Sequence, residues 1–173
     1  MNNKCFVLLL CFVFCTCFGV FCAEAGAKTK ADKQTIEYRY EVENFAKKAD
    51  KSYELRIWTY SKKAVVAMEQ CKKNAVHTVV FKGIPASKDG RTPGIKALFA
   101  DNISSDNQKI FFDAFFADGG DYMRFVTETS QGLNEVIKIG KEYKLGIRVI
   151  INVPALRQHL EKAGMIRALN FGF

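Results

Sequence analysis

The sequence predicts a single α+β domain, a largely antiparallel sheet with about three helices packed on it. Three observations lead there. Tyr143, Leu145, Ile147, Val149 and Ile151 recur at every second position, the two-residue period of a strand. Apolar residues at helical spacing recur in three separate stretches, each with a start or stop signal. The last strands follow one another through links too short for a parallel crossover, which makes their pairing antiparallel.

In chain order, Ile36, Tyr38, Tyr40 and Val42 alternate with Glu37, Arg39, Glu41 and Glu43, a strand with one wet face. A polar loop around residues 47–52 joins it to a second strand at 53–60. There Tyr53, Leu55, Ile57 and Thr59 share one face and Trp58 lies on the other, and the two strands pair as a hairpin. Ser61 caps a helix over residues 62–76, striped by Ala64, Met68, Cys71 and Ala75. The apolar run 78–81 reads as a short strand ending at Gly83, and IPASKDGRTPG (84–94) carries the punctuation of a loop. A second helix begins at Ser105, with Gln108 at capping-box spacing, and stops at Gly119-Gly120. Residues 122–129 read as a strand. Residues 135–139 and 142–153 form a hairpin around Gly140-Lys141, its second arm central in the sheet. Pro154 opens the last helix, Gly164 closes it, and 169–173 adds a short edge strand.

Ahead of the domain, Lys4 precedes an apolar, cysteine-rich run from Cys5 to Ala23, and Ala23-Glu24-Ala25 fits a cleavage site. Residues 1–25 are therefore expected to be a cleavable signal peptide, 26–34 a flexible leader and 35–173 the domain. Lipidation is disfavoured because Cys22 follows Phe21 rather than a small residue. Cys5, Cys11, Cys15, Cys17 and Cys22 all leave with the signal, so Cys71 remains alone and no internal disulfide forms. Core burial must hold the domain together. Lys4 and Glu24 cancel, so the formal charge of +8 stays with the exported protein. Outside the cytoplasm such a surface meets anionic lipid headgroups, envelope polymers or acidic proteins rather than nucleic acid. No integral membrane domain is expected after cleavage.

No residue set carries an obvious chemistry. Cys71 and His77 stand six apart, about 240° around a helix, and Cys71 falls on the apolar stripe, so a buried inert thiol is expected. His77 and His159 are the only histidines and neither has zinc-ligand spacing; His159 borders the core face of the last helix. Asp113, Asp118 and Asp121 flank a Gly-Gly helix stop without the order of a calcium loop. No cofactor, metal or catalytic residue is therefore expected. The 84–94 loop lacks the order of a phosphate-binding loop but offers Lys88 and Arg91 to an anion. Ile110, Phe111, Phe112, Ala114, Phe115 and Phe116 cover about 240° of the second helix, where resting on a sheet needs only about 100° or somewhat more. Either the loop after Gly83 or the C-terminal tail folds over Phe112 and Phe116, or the two form a contact for a partner.

The segments CKKNAVHTVVFKGI (71–84) and NVPALRQHLEKAGMI (152–166) resemble uncharacterised exported proteins of Gram-negative anaerobes. The resemblance implies a periplasmic or cell-surface location and carries no catalytic residues. The function expected is that of a non-enzymatic envelope protein, an interaction or assembly component. Phe112 and Phe116 would supply its apolar contact, and Lys82, Lys88 and Arg91 would steer an envelope protein or anionic envelope polymer. The alternative is a binding protein for an anionic ligand or polymer that uses the loop after Gly83; an enzyme ranks third.

Overall fold

In the computed structural model, which describes residues 39–99, 103–117, 119–129 and 135–168, the first hairpin forms. Strand β1 (Tyr40–Lys47) runs antiparallel to β2 (Tyr53–Ser61), with Val42 opposite Ile57. The strand continues through Lys47, where the polar pattern predicts loop. A bulge between Asn44 and Ala46 absorbs the break in alternation and lets Lys47 still pair with Tyr53. Asn44 points inward, and its Nδ2 donates to the Pro85 carbonyl at 2.9 Å. Ile36 and Tyr38, the signal and leader segments and the 169–173 strand lie outside the described residues.

The rest of the sheet is built on the perfectly alternating segment. Strands β3 (Val126–Glu128), β4 (Glu135–Ile139) and β5 (Glu142–Ile151) are all antiparallel to their neighbours. One side of β5 pairs with β2 along its whole length; β4 and β3 share the other side, at its beginning and end respectively. Gly140 adopts φ 61° in the β4–β5 turn, a left-handed conformation that glycine enters without a Cβ penalty.

Three helices, α1 (Ala64–His77), α2 (Asp106–Phe115) and α3 (Val153–Lys162), pack against this sheet. The protein is thus an α+β domain with a five-stranded antiparallel sheet. Leu55, Ile57, Leu145, Ile147, Val149 and Ile151 face Ala67, Cys71, Ala75, Val76, Leu156 and Leu160 in one buried cluster. Each buried Leu, Ile or Val of the cluster contributes about 1.5–3 kcal/mol on burial.

Two short segments differ from their sequence reading. Residues 78–81 are not a strand: Thr78–Lys82 continues α1 as a π-helical turn closed by Gly83 N–H donating to Thr78 O at 2.7 Å. A run of four apolar residues fits a buried helix as well as a strand, and here the helix carries Val79 and Val80 into the core with no exposure. Their carbonyls accept from the N–H groups of Leu98 and Phe99 at 3.1 and 2.8 Å, which pins the 84–99 segment against the helix end. Likewise Asp121–Phe125 is a 3₁₀ turn, leaving only Val126–Glu128 in the sheet. Tyr122 and Phe125 stand three apart, the 3₁₀ repeat, and both are buried.

The helix starts follow their chemistry with one exception. Ser105 and Gln108 form the reciprocal capping box of α2, and the Asn152 side chain accepts from Ala155 N at 3.0 Å to cap α3. Ser61 does not cap α1, because it is the last residue of β2; the helix starts at Ala64 with Lys63 at the cap position.

Among the described residues, the outer face of the sheet carries no helix and is covered by its own side chains. Trp58 sits beneath Lys144 and Arg56, 4.9 and 5.6 Å from the ring centroid, and is 7% exposed. Arg56 and Arg148 also lie over Phe45 at 5.0 and 4.2 Å, and Arg39 lies over Tyr60 at 4.5 Å. The long aliphatic stems shield the rings while the charged heads stay in water.

Candidate functional site

Phe112 is a core residue, which corrects its expected place in an exposed contact. It is 4% exposed, with the rings of Phe81 and Phe99 centred 4.9 and 5.1 Å away. Phe99 arrives from the segment after Gly83, so that segment supplies the cover for the surplus apolar face of α2. Phe116 is half-buried beside Tyr122 and His77.

Lys82, Lys88 and Arg91 do not build a common site. The Lys82 ammonium lies 4.2 Å from the Tyr40 ring centroid. Lys88 pairs with Glu43 at 2.6 Å, and Arg91 pairs with Asp89 of its own loop at 3.6 Å. The four cations of the outer sheet face are also engaged: Arg39 with Glu142, Arg56 with Glu135, Lys144 with Glu41 and Arg148 with Glu54. The Tyr60 hydroxyl, followed by Lys144, holds the Glu41 carboxyl below the usual carboxylate range.

Cys71 is fully buried, and its thiol donates to Thr59 Oγ1 at 3.0 Å and Ile57 O at 3.3 Å. Burial pushes this thiol up to about 12, far from a nucleophilic thiolate. His77 Nδ1 shares a 2.8 Å hydrogen bond with the Tyr40 hydroxyl. Burial, with help from the Lys82 charge, pushes the imidazole down to about 3, so it stays neutral at physiological pH. His159 sits at the border of the α3 core face against Phe111, Phe115 and Phe125, 3.8 Å from Asp121. Asp118 lies outside the described residues. Among the described residues, no group of histidines, cysteines and carboxylates could hold a metal ion.

Uncommitted positive charge gathers instead at one end of the sheet, around a cleft of about 390 Å³. Lys47 comes from the end of β1, Lys51 from the following turn, Lys96 from the strap pinned to α1, and Arg157 from the first turns of α3. No carboxylate among the described residues lines the cleft. Arg157 leans on Glu161 at 3.6 Å, whereas Lys47, Lys51 and Lys96 make no ion pair among the described residues. Tyr53, Ile95, Leu98 and Val153 supply apolar wall. Tyr53 is 3% exposed, and its hydroxyl has no hydrogen-bond partner among the described residues. Burial raises the phenol above its ordinary value of 10.0, and it is a hydrogen-bond donor at neutral pH with or without that rise.

Local geometry holds these cations in place. Lys51 N–H donates to Lys48 O at 3.0 Å, and the Asp50 carboxylate takes both the N–H and hydroxyl of Ser52. Lys51 itself has φ 63°, a left-handed conformation that glycine adopts far more readily. The first turn of α3 holds no acidic residue, so the positive end of the helix dipole adds to the cationic field.

Sequence reasoning did not single out Lys47, Lys51, Lys96 or Arg157. They come from four separate segments, and nothing local separates a lysine with a distant counter-ion, such as Lys88 and Glu43, from one without. In comparisons with known proteins, the chain matches no family model, no curated protein and no solved structure. The case for function rests on the residues of the site.

Proposed function

We propose that this chain is a non-enzymatic exported binding protein whose cleft beside the β1–β2 turn takes a small anionic ligand. The observation that carries the reading is a cleft lined by Lys47, Lys51, Lys96 and Arg157 and, among the described residues, by no carboxylate. An anion about 4 Å from one ammonium gains roughly 1 kcal/mol in water and about 4 kcal/mol at the effective dielectric of a protein surface. Several such terms acting together favour an anion over a neutral or cationic ligand. The volume falls within the ~300–1,000 Å³ of small-molecule sites. Export of the chain to the periplasm or cell surface remains part of the proposal and rests on the 1–25 segment.

The anionic dye 1-anilinonaphthalene-8-sulfonate tests this reading. Its fluorescence should rise on binding, fall with added salt because screening weakens exposed charge pairs, and be lost in a Lys47→Glu, Lys96→Glu double variant of unchanged circular dichroism. Dye binding that ignores both salt and the charge reversal contradicts the reading.

A second reading, an assembly component for an envelope partner, has support from a different surface than the phenylalanines. Edge strand β4 exposes Val136, Ile137 and Ile139 at 50%, 47% and 49%. Apolar strand edges of this kind pair with other chains unless they are blocked. Replacing Ile137 with Lys should abolish any self-association or partner capture seen by analytical ultracentrifugation; an unchanged sedimentation profile of an associating sample contradicts it.

A further inference from the structure

We infer that the ligand of the cleft is a small organic anion with an apolar body, of the kind a single medium-chain carboxylate presents. This rests on the anion-binding reading above and narrows its ligand. Burial separates the lining into two zones. Tyr53, Leu98 and Val153 are 3%, 9% and 9% exposed and form the floor, while Lys47, Lys51 and Lys96 are exposed at the rim. An inorganic anion would engage the rim alone, whereas a chain laid on the apolar floor also removes its own methylenes from water. Each methylene so buried strengthens binding roughly fourfold.

The Tyr53 phenol belongs to the same arrangement. The residue is 3% exposed, yet its hydroxyl makes no hydrogen bond among the described residues and is not a buried atom, so it opens onto the cleft. It is a donor on the cleft wall, suited to a carboxylate oxygen. The volume of about 390 Å³ lies near the lower end of ~300–1,000 Å³ ligand sites, room for one short chain and not for a two-chain lipid.

Isothermal titration calorimetry of the purified protein with decanoate, octanoate, decanol and inorganic phosphate tests the inference, with anionic phospholipid vesicles as a further arm. Because residues 5–23 are themselves apolar, the binding counted is the part that Lys51→Glu removes. The expected result is one decanoate per chain, bound roughly fifteenfold more tightly than octanoate, which has two fewer methylenes. Lys96→Glu should weaken decanoate about tenfold or more, a loss of about 1.4 kcal/mol. Lys51→Gly, which relieves the φ 63° backbone, should weaken it without loss of thermal stability. Phosphate bound as tightly as decanoate leaves the anion site standing and overturns the apolar body. Decanol bound as tightly as decanoate, or no binding by any anion, overturns both. Binding to vesicles without binding to free decanoate overturns a soluble single-chain ligand.

Discussion

His77 shows how one buried side chain sets a pH dependence. Its folded-state value is depressed from 6.5 to about 3, so between those limits the unfolded chain holds a proton that the folded protein does not. Its contribution is present above about pH 6.5 and is lost as pH falls toward about 3, with a slope of up to ~1.4 kcal/mol per unit. Urea unfolding across that window should show stability falling with pH, and His77→Gln should flatten the fall; parallel curves for the two proteins would contradict it. Gly146 makes a steric statement of the same local kind. A Cβ there would meet the Trp58 ring at 2.7 Å, and Lys144 and Arg56 lie over that ring at 4.9 and 5.6 Å from its centroid. Gly146→Ala should cost about 1–3 kcal/mol in denaturant unfolding, and an unchanged midpoint would show that Trp58 can move aside. Cys71 should resist thiol-exchange reagents until denaturant is added, as peptide mapping of the labelled chain would reveal; labelling of Cys71 in the folded state would contradict its burial.

At the scale of elements, the long periodic segments were legible and the short apolar ones were not. The alternation from Tyr143 to Ile151 reports a strand directly because only a two-residue period puts those five side chains on one face. Thr78 to Phe81 has no period to read. Its β-branched residues suit a strand, yet the preceding helix and the strap at Leu98 and Phe99 together hold it in a π turn. Tyr122 to Phe125 fails as a strand for the same reason, since burial of two aromatics three apart outweighs local propensity. The capping box of α2 needed no tertiary information, because Ser105 and Gln108 act on backbone groups within one turn. Ser105→Ala should therefore lower stability by about 1 kcal/mol in thermal or urea unfolding, and Ser105→Gly by only a few tenths. Equal losses for the two would point to a role for the hydroxyl beyond the cap.

At the scale of the whole molecule, charge is sorted by position. On the outer sheet face each of Arg39, Arg56, Lys144 and Arg148 lies over a ring and beside a carboxylate, an arrangement that covers the sheet with its own side chains. Beside the β1–β2 turn three lysines gather without a carboxylate partner among the described residues, Lys47 lying 5.9 Å from the Tyr53 ring centroid. The sequence pointed to the loop after Gly83 and to its Lys88 and Arg91, which Glu43 and Asp89 occupy. Lys96, just beyond that loop, is the residue the fold brings to Lys47, Lys51 and Arg157. Their meeting depends on the strap being pinned to the end of α1, a long-range contact with no local signature. The most direct test is chemical-shift mapping of the amide spectrum during a decanoate titration. The account predicts saturable shifts concentrated at residues 47–53, 95–98 and 153–157, and their loss in Lys96→Glu. Shifts centred on Arg56, Trp58 and Arg148, or the same shifts in the variant, would contradict it.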